Sequence, residues 1–336
     1  MRQFIQKLVE RQNLTRTEAA EAMRCIMEGQ ATEAQIAAFL TALKMKGEQI
    51  DEILGFVEVM REKSVKIKLD DPDAIDMCGT GGDNGGTFNI STVASFVVAG
   101  SGITVAKHGN RSISSSCGSA DVLKALGVNI ELPPEKAGAC INKVGIGFLF
   151  APLFHPAMKY AAKPRAELGI KTCFNILGPM TNPASVKRQL VGAFDQETAQ
   201  KMAEVFSNLD VLKVLVVHSH DGLDEVSLEA PTTVYDVNSQ LFNGKYNIEP
   251  KAFGLSLVKK SSILGGTPET NARIAMDVLE GKKQPHRDIV IANAALALMA
   301  TPKVRVIQEA VQITTESIDS GNALRKLQQL RDFSQS

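Results

Sequence analysis

AIDMCGTGGDNGGTFNISTVASFVVAG, residues 74–100, carries the reading of the fold. AIDMC has the length and apolar character of a strand, STVASFVVAG reads as a buried helix, and five glycines between positions 79 and 86 join them. Glycine lets backbone amides turn inward and approach an anion with no Cβ in the way. The helix start behind the loop adds free N–H groups and a favourable dipole. Asn89, Ser91 and Thr92 supply side-chain donors or caps at that terminus. Two familiar phosphate fingerprints do not fit. A dinucleotide loop needs a third glycine where Asn84 follows Gly79 and Gly81, and a Walker A loop needs lysine where Thr87 follows Gly86. Taken alone, the loop is a phosphate site of unspecified ligand or a glycine-rich structural turn.

Outward from this unit the alternation continues. ITVAK follows as a second strand, and VLKVLVVH (211–218) is a continuous, β-branched apolar run of the kind found in buried parallel strands. DIVIANAALALMA (288–300) and the stretch 304–330 read as helices. Such alternation predicts an α/β domain with a largely parallel sheet over residues 74–336. Residues 1 to about 64 instead read as helix after helix, within a helical domain spanning 1–70. Thr15-x-x-Glu18 and Thr32-x-x-Gln35 fit the capping box, while Gly29 and Gly47 sit where helices should stop. Ala34 to Leu43 is apolar on nearly every face and rich in alanine, so it needs cover all round. In a thin helical domain that cover points to a second subunit, hence a homodimer. REKSVKIKLDDPD (61–73) is charged, closed by Pro72, and reads as the crossing between domains.

Composition narrows the partners. Of 336 residues 44% are apolar, and 37 Lys and Arg balance 37 Asp and Glu. Nucleic-acid binders normally carry a net basic surface, so a small anion is the expected ligand. Five scattered cysteines without a C-x-x-C pair argue against a disulfide framework or a structural zinc site. MRQFIQKLVERQ lacks a signal-peptide apolar block, and no stretch approaches the ~20 apolar residues of a membrane span. The expectation is a soluble, cytoplasmic protein with no membrane partner.

Three further stretches carry polar chemistry. VAKHGNRSISSSCGS (105–119) follows the second strand and packs Lys107, His108, Arg111 and five serines into one loop. So many donors at a strand end suit an anion, and both loops fall at the carboxyl ends of strands, where open α/β sheets bind ligands. VVHSHDGLDEVS (216–227) places Asp224 and Glu225 just beyond a buried strand, as magnesium-type oxygen ligands or as a solvated turn. His218-x-His220 has metal-like spacing, but no third ligand presents itself. In the stretch 155–184, Arg165 suits a bidentate carboxylate contact; the plainer reading is a surface arginine paired with Glu167 or Asp195.

GTGGD…TFNIST, VAKHGNRSISSSCGSADVLKALGV, RAELGIKTCFNILGPMTNPA and DGLDEVS together resemble the anthranilate phosphoribosyltransferases, in order and spacing and over essentially the whole chain. KHGNR is the discriminating segment, since the related pyrimidine nucleoside phosphorylases, the alternative reading, differ there. The resemblance implies a small N-terminal helical domain, completed by a segment near 165–190, hinged to a larger α/β domain of nucleoside phosphorylase/phosphoribosyltransferase type. It implies transfer of the 5-phosphoribosyl group from phosphoribosyl diphosphate to anthranilate, the second step of tryptophan biosynthesis from chorismate, with two Mg²⁺ ions and a homodimer through the helical domain. By the same carry-over, phosphoribosyl diphosphate lies on Gly79, Gly82, Asp83, Thr87, Asn89, Ile90, Ser91, Thr92, Lys107, Ser115 and Ser119. Ser91, Asp224 and Glu225 hold the metal. Gly79, His108, Asn110 and Arg165 line the anthranilate path, with Arg165 facing the carboxylate. Lys163-Pro164 departs from the proline-valine common in the family, directly before that arginine.

Overall fold

The structure, a computed structural model, describes residues 1–82, 85–111, 116–238 and 241–336. Its N-terminal part is four helices, Arg2–Val9, Arg16–Met27, Glu33–Lys46 and Ile50–Glu62. Both capping boxes form: Thr15 and Thr32 accept from the backbone N–H of Glu18 and Gln35, whose side chains reach back to the cap N–H. Gly29 and Gly47 end their helices with φ of 70° and 88°, a region that costs glycine little. In the alanine-rich helix, Ile36, Phe39, Leu40 and Leu43 face inward and are buried. Its other side lines a groove of ≈ 450 Å³ with Val9 and Met45, which are 67% and 72% exposed. Cover all round is therefore not supplied within this chain among the described residues.

Seven strands form one sheet among the described residues: β1 (Ile75–Gly79), β2 (Val105–Gly109), β3 (Ile146–Phe150), β4 (Arg188–Gly192), β5 (Lys213–Ser219), β6 (Thr232–Asn238) and β7 (Leu241–Ile248), in the order β3-β2-β1-β4-β5-β6-β7. β1 to β5 are parallel, and β6 and β7 join as an antiparallel edge. β5 shows why its sequence is apolar throughout. Successive side chains point to opposite faces: Val214 and Val216 pack into the cluster shared with the N-terminal helices, Leu215 and Val217 into the core beneath Ile90–Gly100 and Pro285–Met299. Ala161, Cys173, Phe174, Ile176 and Met180, far along the chain, join the helical cluster. The chain leaves β1 toward β2 and β3, then returns to β4 on the other side of β1. That reversal opens a crevice at the carboxyl ends of β1 and β4.

Candidate active site

Gly79 and Gly192 are register partners at the ends of β1 and β4, and both lie under Asp224. A Cβ on Gly79 would stand 2.6 Å from Asp224 Oδ2, and one on Gly192 only 1.6 Å from the Asp224 carbonyl oxygen. Two missing side chains thus let the turn after β5 settle onto the switch point of the sheet. The Gly81 N–H donates to Asp224 Oδ2 at 2.9 Å, and the Ser91 N–H, in the first turn of Ile90–Gly100, donates to Glu225 Oε1 at 3.1 Å. The two carboxylates accordingly meet the glycine loop and the helix start behind it. Hard oxygens beside a phosphate-type loop are what Mg²⁺ takes, with substrate oxygens and water completing its shell. Ser91 Oγ lies in the same group, 3.4 Å from Lys107 Nζ.

Lys107 is buried and also donates to the Met77 carbonyl. Burial pushes its pKa down, while the Asp76 carboxylate is the largest influence raising it. Asp76, wholly buried, accepts from the His108 N–H at 3.0 Å and from Asn182 Nδ2 at 2.8 Å. Burial pushes the Asp76 carboxyl up, and Lys107 and these donors pull it back. His108 Nδ1 is 3.2 Å from the Gly178 carbonyl, which can only accept, so Nδ1 carries the proton and Nε2 is a bare acceptor. Among the described residues that Nε2 is buried without a partner, as is Nε2 of His155, whose ring centroid is 5.2 Å away. Burial, then the neighbouring His155, pushes His108 down to about 3, and burial pushes His155 down to about 4. Both rings are neutral near pH 7. Sequence reading passed over His155; its signal is only a histidine before proline at the end of a short helix.

Other assigned residues play mixed parts. Asn89 bridges two segments, donating to the Cys117 carbonyl at 3.0 Å and accepting from Asn271 Nδ2 at 3.0 Å. Ile90 and Thr92 are buried, so their side chains belong to the packing of the helix start. Thr87 pairs with Leu264 in an isolated bridge. The Ser119 hydroxyl and the Ala120 N–H both donate to the Asn110 carbonyl, closing the second loop onto the helix Ser119–Ala125. The Gly82 carbonyl accepts from Lys171 Nζ at 2.6 Å. Asp83 and Ser115 lie outside the described residues.

Arg165 overturns its plainer reading. It pairs with neither Glu167 nor Asp195; its guanidinium lies 5.0 Å from the Phe174 ring centroid, and burial lowers its pKa. Asp195 instead caps Gln196–Phe206, accepting from the Thr198 N–H at 2.7 Å. Pro164 sits inside the helix Lys159–Leu168 without ending it. No hydrogen bond or ion pair joins Arg165 to the two loops among the described residues. His218 bonds the Ala193 carbonyl and His220 the Thr233 hydroxyl, each at 2.9 Å, which accounts for both without a metal. Among the described residues no three His, Cys, Asp or Glu side chains converge as a metal cluster.

Comparison with known proteins agrees with this geometry. The glycosyl transferase family, helical bundle domain, matches residues 2–64, and the glycosyl transferase family, a/b domain, matches residues 71–324. The chain is 51% identical over 330 residues to the anthranilate phosphoribosyltransferase of Pelotomaculum thermopropionicum, covering 98% of this chain and 95% of the relative. It is 49% identical over 333 residues to that of Symbiobacterium thermophilum, covering 99% and 97%. Among solved structures, the enzyme of Thermus thermophilus superposes with a TM-score of 0.93 at 39% identity, covering 99% of each chain. The enzyme of Saccharomyces cerevisiae in complex with PRPP and Mg gives 0.90 at 29% identity, covering 99% and 97%.

Proposed function

The chain belongs to the anthranilate phosphoribosyltransferases, a glycosyl transferase family, and from that premise we propose that the crevice over β1 and β4 is where it joins anthranilate to the ribose of phosphoribosyl diphosphate. The products are N-(5-phosphoribosyl)anthranilate and pyrophosphate, a step of tryptophan biosynthesis. The observation that carries the site is the meeting of Asp224 and Glu225 with Gly81 and Ser91. In this reading Gly79, Gly82, Asp83, Thr87, Asn89 to Thr92, Lys107, Ser115 and Ser119 surround the diphosphate donor. Ser91, Asp224 and Glu225 would hold magnesium, two ions in this reading, which would supply Lewis-acid neutralisation of the leaving diphosphate. The yeast relative solved with PRPP and Mg supports the use of magnesium with this donor.

An aromatic amine is unprotonated at neutral pH, so no strong base is needed to start the attack. The barrier lies in diphosphate departure and in the positive charge growing on the ribose. The amides of the glycine loop and of the helix start act as a preorganised anion site. Lys107 adds a buried positive charge beside Ser91. On the acceptor side, His108 and His155 offer neutral Nε2 atoms able to accept from the amine N–H groups. Arg165, which meets no protein carboxylate among the described residues, faces the carboxylate of anthranilate, with Gly79 and Asn110 along the path. A yeast relative solved with 4-fluoroanthranilate supports this acceptor class. Closing the helical domain (1–70 with a segment near 165–190) on the α/β domain (74–336) supplies proximity and orientation.

The groove beside Val9, Ala38 and Met45 fits a second copy of the chain, making a homodimer through the helical domain. Light scattering at micromolar concentration is expected to return twice the chain mass; a monomer rejects the dimer. We place the enzyme in the cytoplasm, consistent with five scattered cysteines that form no C-x-x-C pair and with the finding that no helix among the described residues is long and apolar enough to cross a membrane.

The direct test follows anthranilate fluorescence with protein, phosphoribosyl diphosphate and magnesium. Signal loss that needs all three and stops with EDTA is expected. No loss, together with phosphate-dependent cleavage of uridine or thymidine, would restore the nucleoside phosphorylase reading, which the relatives do not support.

A further inference from the structure

Lys171 stands on the helical side of the crevice, just before Cys173 and Phe174, whose side chains belong to the helical cluster. Its ammonium donates to the Gly82 carbonyl at 2.6 Å and lies 3.7 Å from the centroid of the Phe194 ring. No carboxylate pairs with it among the described residues, whereas Lys7, Lys63 and Lys163 all meet glutamates. Both of its partners belong to the crevice. Phe194 lies just beyond β4, and its N–H donates to Thr80 Oγ1 at 3.0 Å, while the Thr80 N–H donates to the Gly192 carbonyl at 2.9 Å. The segment 79–82 is thus held from three sides: Gly81 on Asp224, Thr80 on the chain after β4, and Gly82 on Lys171.

The third hold has a chemical consequence. A loop that binds an anion through its amides must turn its carbonyls away, because a carbonyl oxygen repels the ligand. Gly82 has φ of 73° and no Cβ, so its own side chain does not select the orientation of its peptide planes. An external cation does. The flat Phe194 ring holds that cation by its negative face, so the ammonium is placed without a carboxylate that would cancel its charge.

We propose that Lys171 is a positioning residue for the diphosphate donor: seated on Phe194, it fixes the Gly82 carbonyl and ties the glycine loop to the helical side of the crevice. The inference rests on the assignment of this loop to the diphosphate. It makes the second segment of the helical side a participant in donor binding as well as in acceptor binding through Arg165.

Titration calorimetry of phosphoribosyl diphosphate with magnesium, on Lys171→Met, Lys171→Arg and Asp224→Asn, tests it alongside KM for each substrate. Lys171→Met is expected to weaken donor binding by roughly 10- to 100-fold, the range for a hydrogen bond to a charged group. KM for anthranilate should stay within about twofold, and Lys171→Arg, which keeps a cation over the Phe194 ring, should recover most of the loss. Wild-type donor affinity in Lys171→Met overturns the proposal whatever happens to Tm. Should Lys171→Met not fold, Phe194→Leu is expected to weaken donor binding about threefold through loss of the cation–π contact, and an unchanged affinity there overturns the proposal equally. Weakening by Asp224→Asn but not by Lys171→Met confines the failure to Lys171. If neither changes affinity, the assignment of the loop itself fails and the inference falls with it.

Discussion

The two sides of the crevice are built in different ways. The proposed donor side is mostly contiguous backbone: a strand end, a glycine loop and a helix start within residues 75–100, pinned by Asp224 and Glu225. The proposed acceptor side is assembled from single side chains on separate elements: His108 at the end of β2, His155 after β3, and Arg165 on a helix that packs with the N-terminal helices. An anion of high charge is met by many amides, each contributing a little, and those amides come cheaply from one loop. A small aromatic acid presents one carboxylate, one amine and one ring face, so a few groups must be brought together from afar. The contrast predicts sharp losses where the donor side is touched and more selective ones on the acceptor side.

The largest effect is expected from Asp224→Asn with Glu225→Gln. kcat should fall by about 10²–10³ or more, as when a preorganised charge-stabilising group is removed, with circular dichroism unchanged. Near wild-type turnover would remove the metal assignment. Next comes Gly192→Ala, whose Cβ would collide with the Asp224 backbone at 1.6 Å. Overpacking of this kind costs about 1–3 kcal/mol, and because Asp224 must move, kcat/KM should fall on the order of 10–100-fold. Activity and Tm both at the wild-type level would show that the carboxylate does not depend on this floor.

Arg165→Ala separates the two sides. KM for anthranilate should rise about 10-fold, the scale of one charge-assisted hydrogen bond, while KM for phosphoribosyl diphosphate holds. A rise in both, or in neither, would deny that Arg165 belongs to the acceptor alone. The smallest effect concerns the buried histidines. Their folded pKa values, about 3 for His108 and about 4 for His155, lie below the ordinary 6.5. As pH falls below 6.5 the unfolded chain takes up protons that the folded one refuses, so stability is lost progressively from about pH 6.5 down to about pH 4 for His155 and about pH 3 for His108. Tm measured from pH 7.5 to pH 5 should decline less steeply in His155→Gln than in the unaltered chain. Coincident slopes would show that His155 does not carry this acid sensitivity.

Legibility followed the same division. The strand–loop–helix of residues 74–100 and the capped helices before it were readable because their signals are local. Glycines, caps and apolar runs act within a few residues of themselves. β3, β4 and the β6–β7 edge were not singled out, since short apolar strands resemble any other apolar run until a sheet pairs them. His155 carries no local mark of function. For Arg165 local spacing offered a surface ion pair with Glu167 or Asp195 as the plainer reading, and only the resemblance set it on the acceptor path; burial over Phe174 and the capping role of Asp195 remove the ion pair.

What the amino-acid sequence determined by itself was therefore the alternation of elements, the glycine loop between strand and helix and, through resemblance, the family. Each depends on residue type and short spacing. Only the tertiary structure decided that Asp224 rests on two glycines from neighbouring strands, that Asp76 and Lys107 share one interior, and that Lys171 reaches the Gly82 carbonyl. Those contacts join positions from about thirty to well over a hundred residues apart. They form because the sheet order brings strand ends together at its switch point, which local spacing along the chain does not encode.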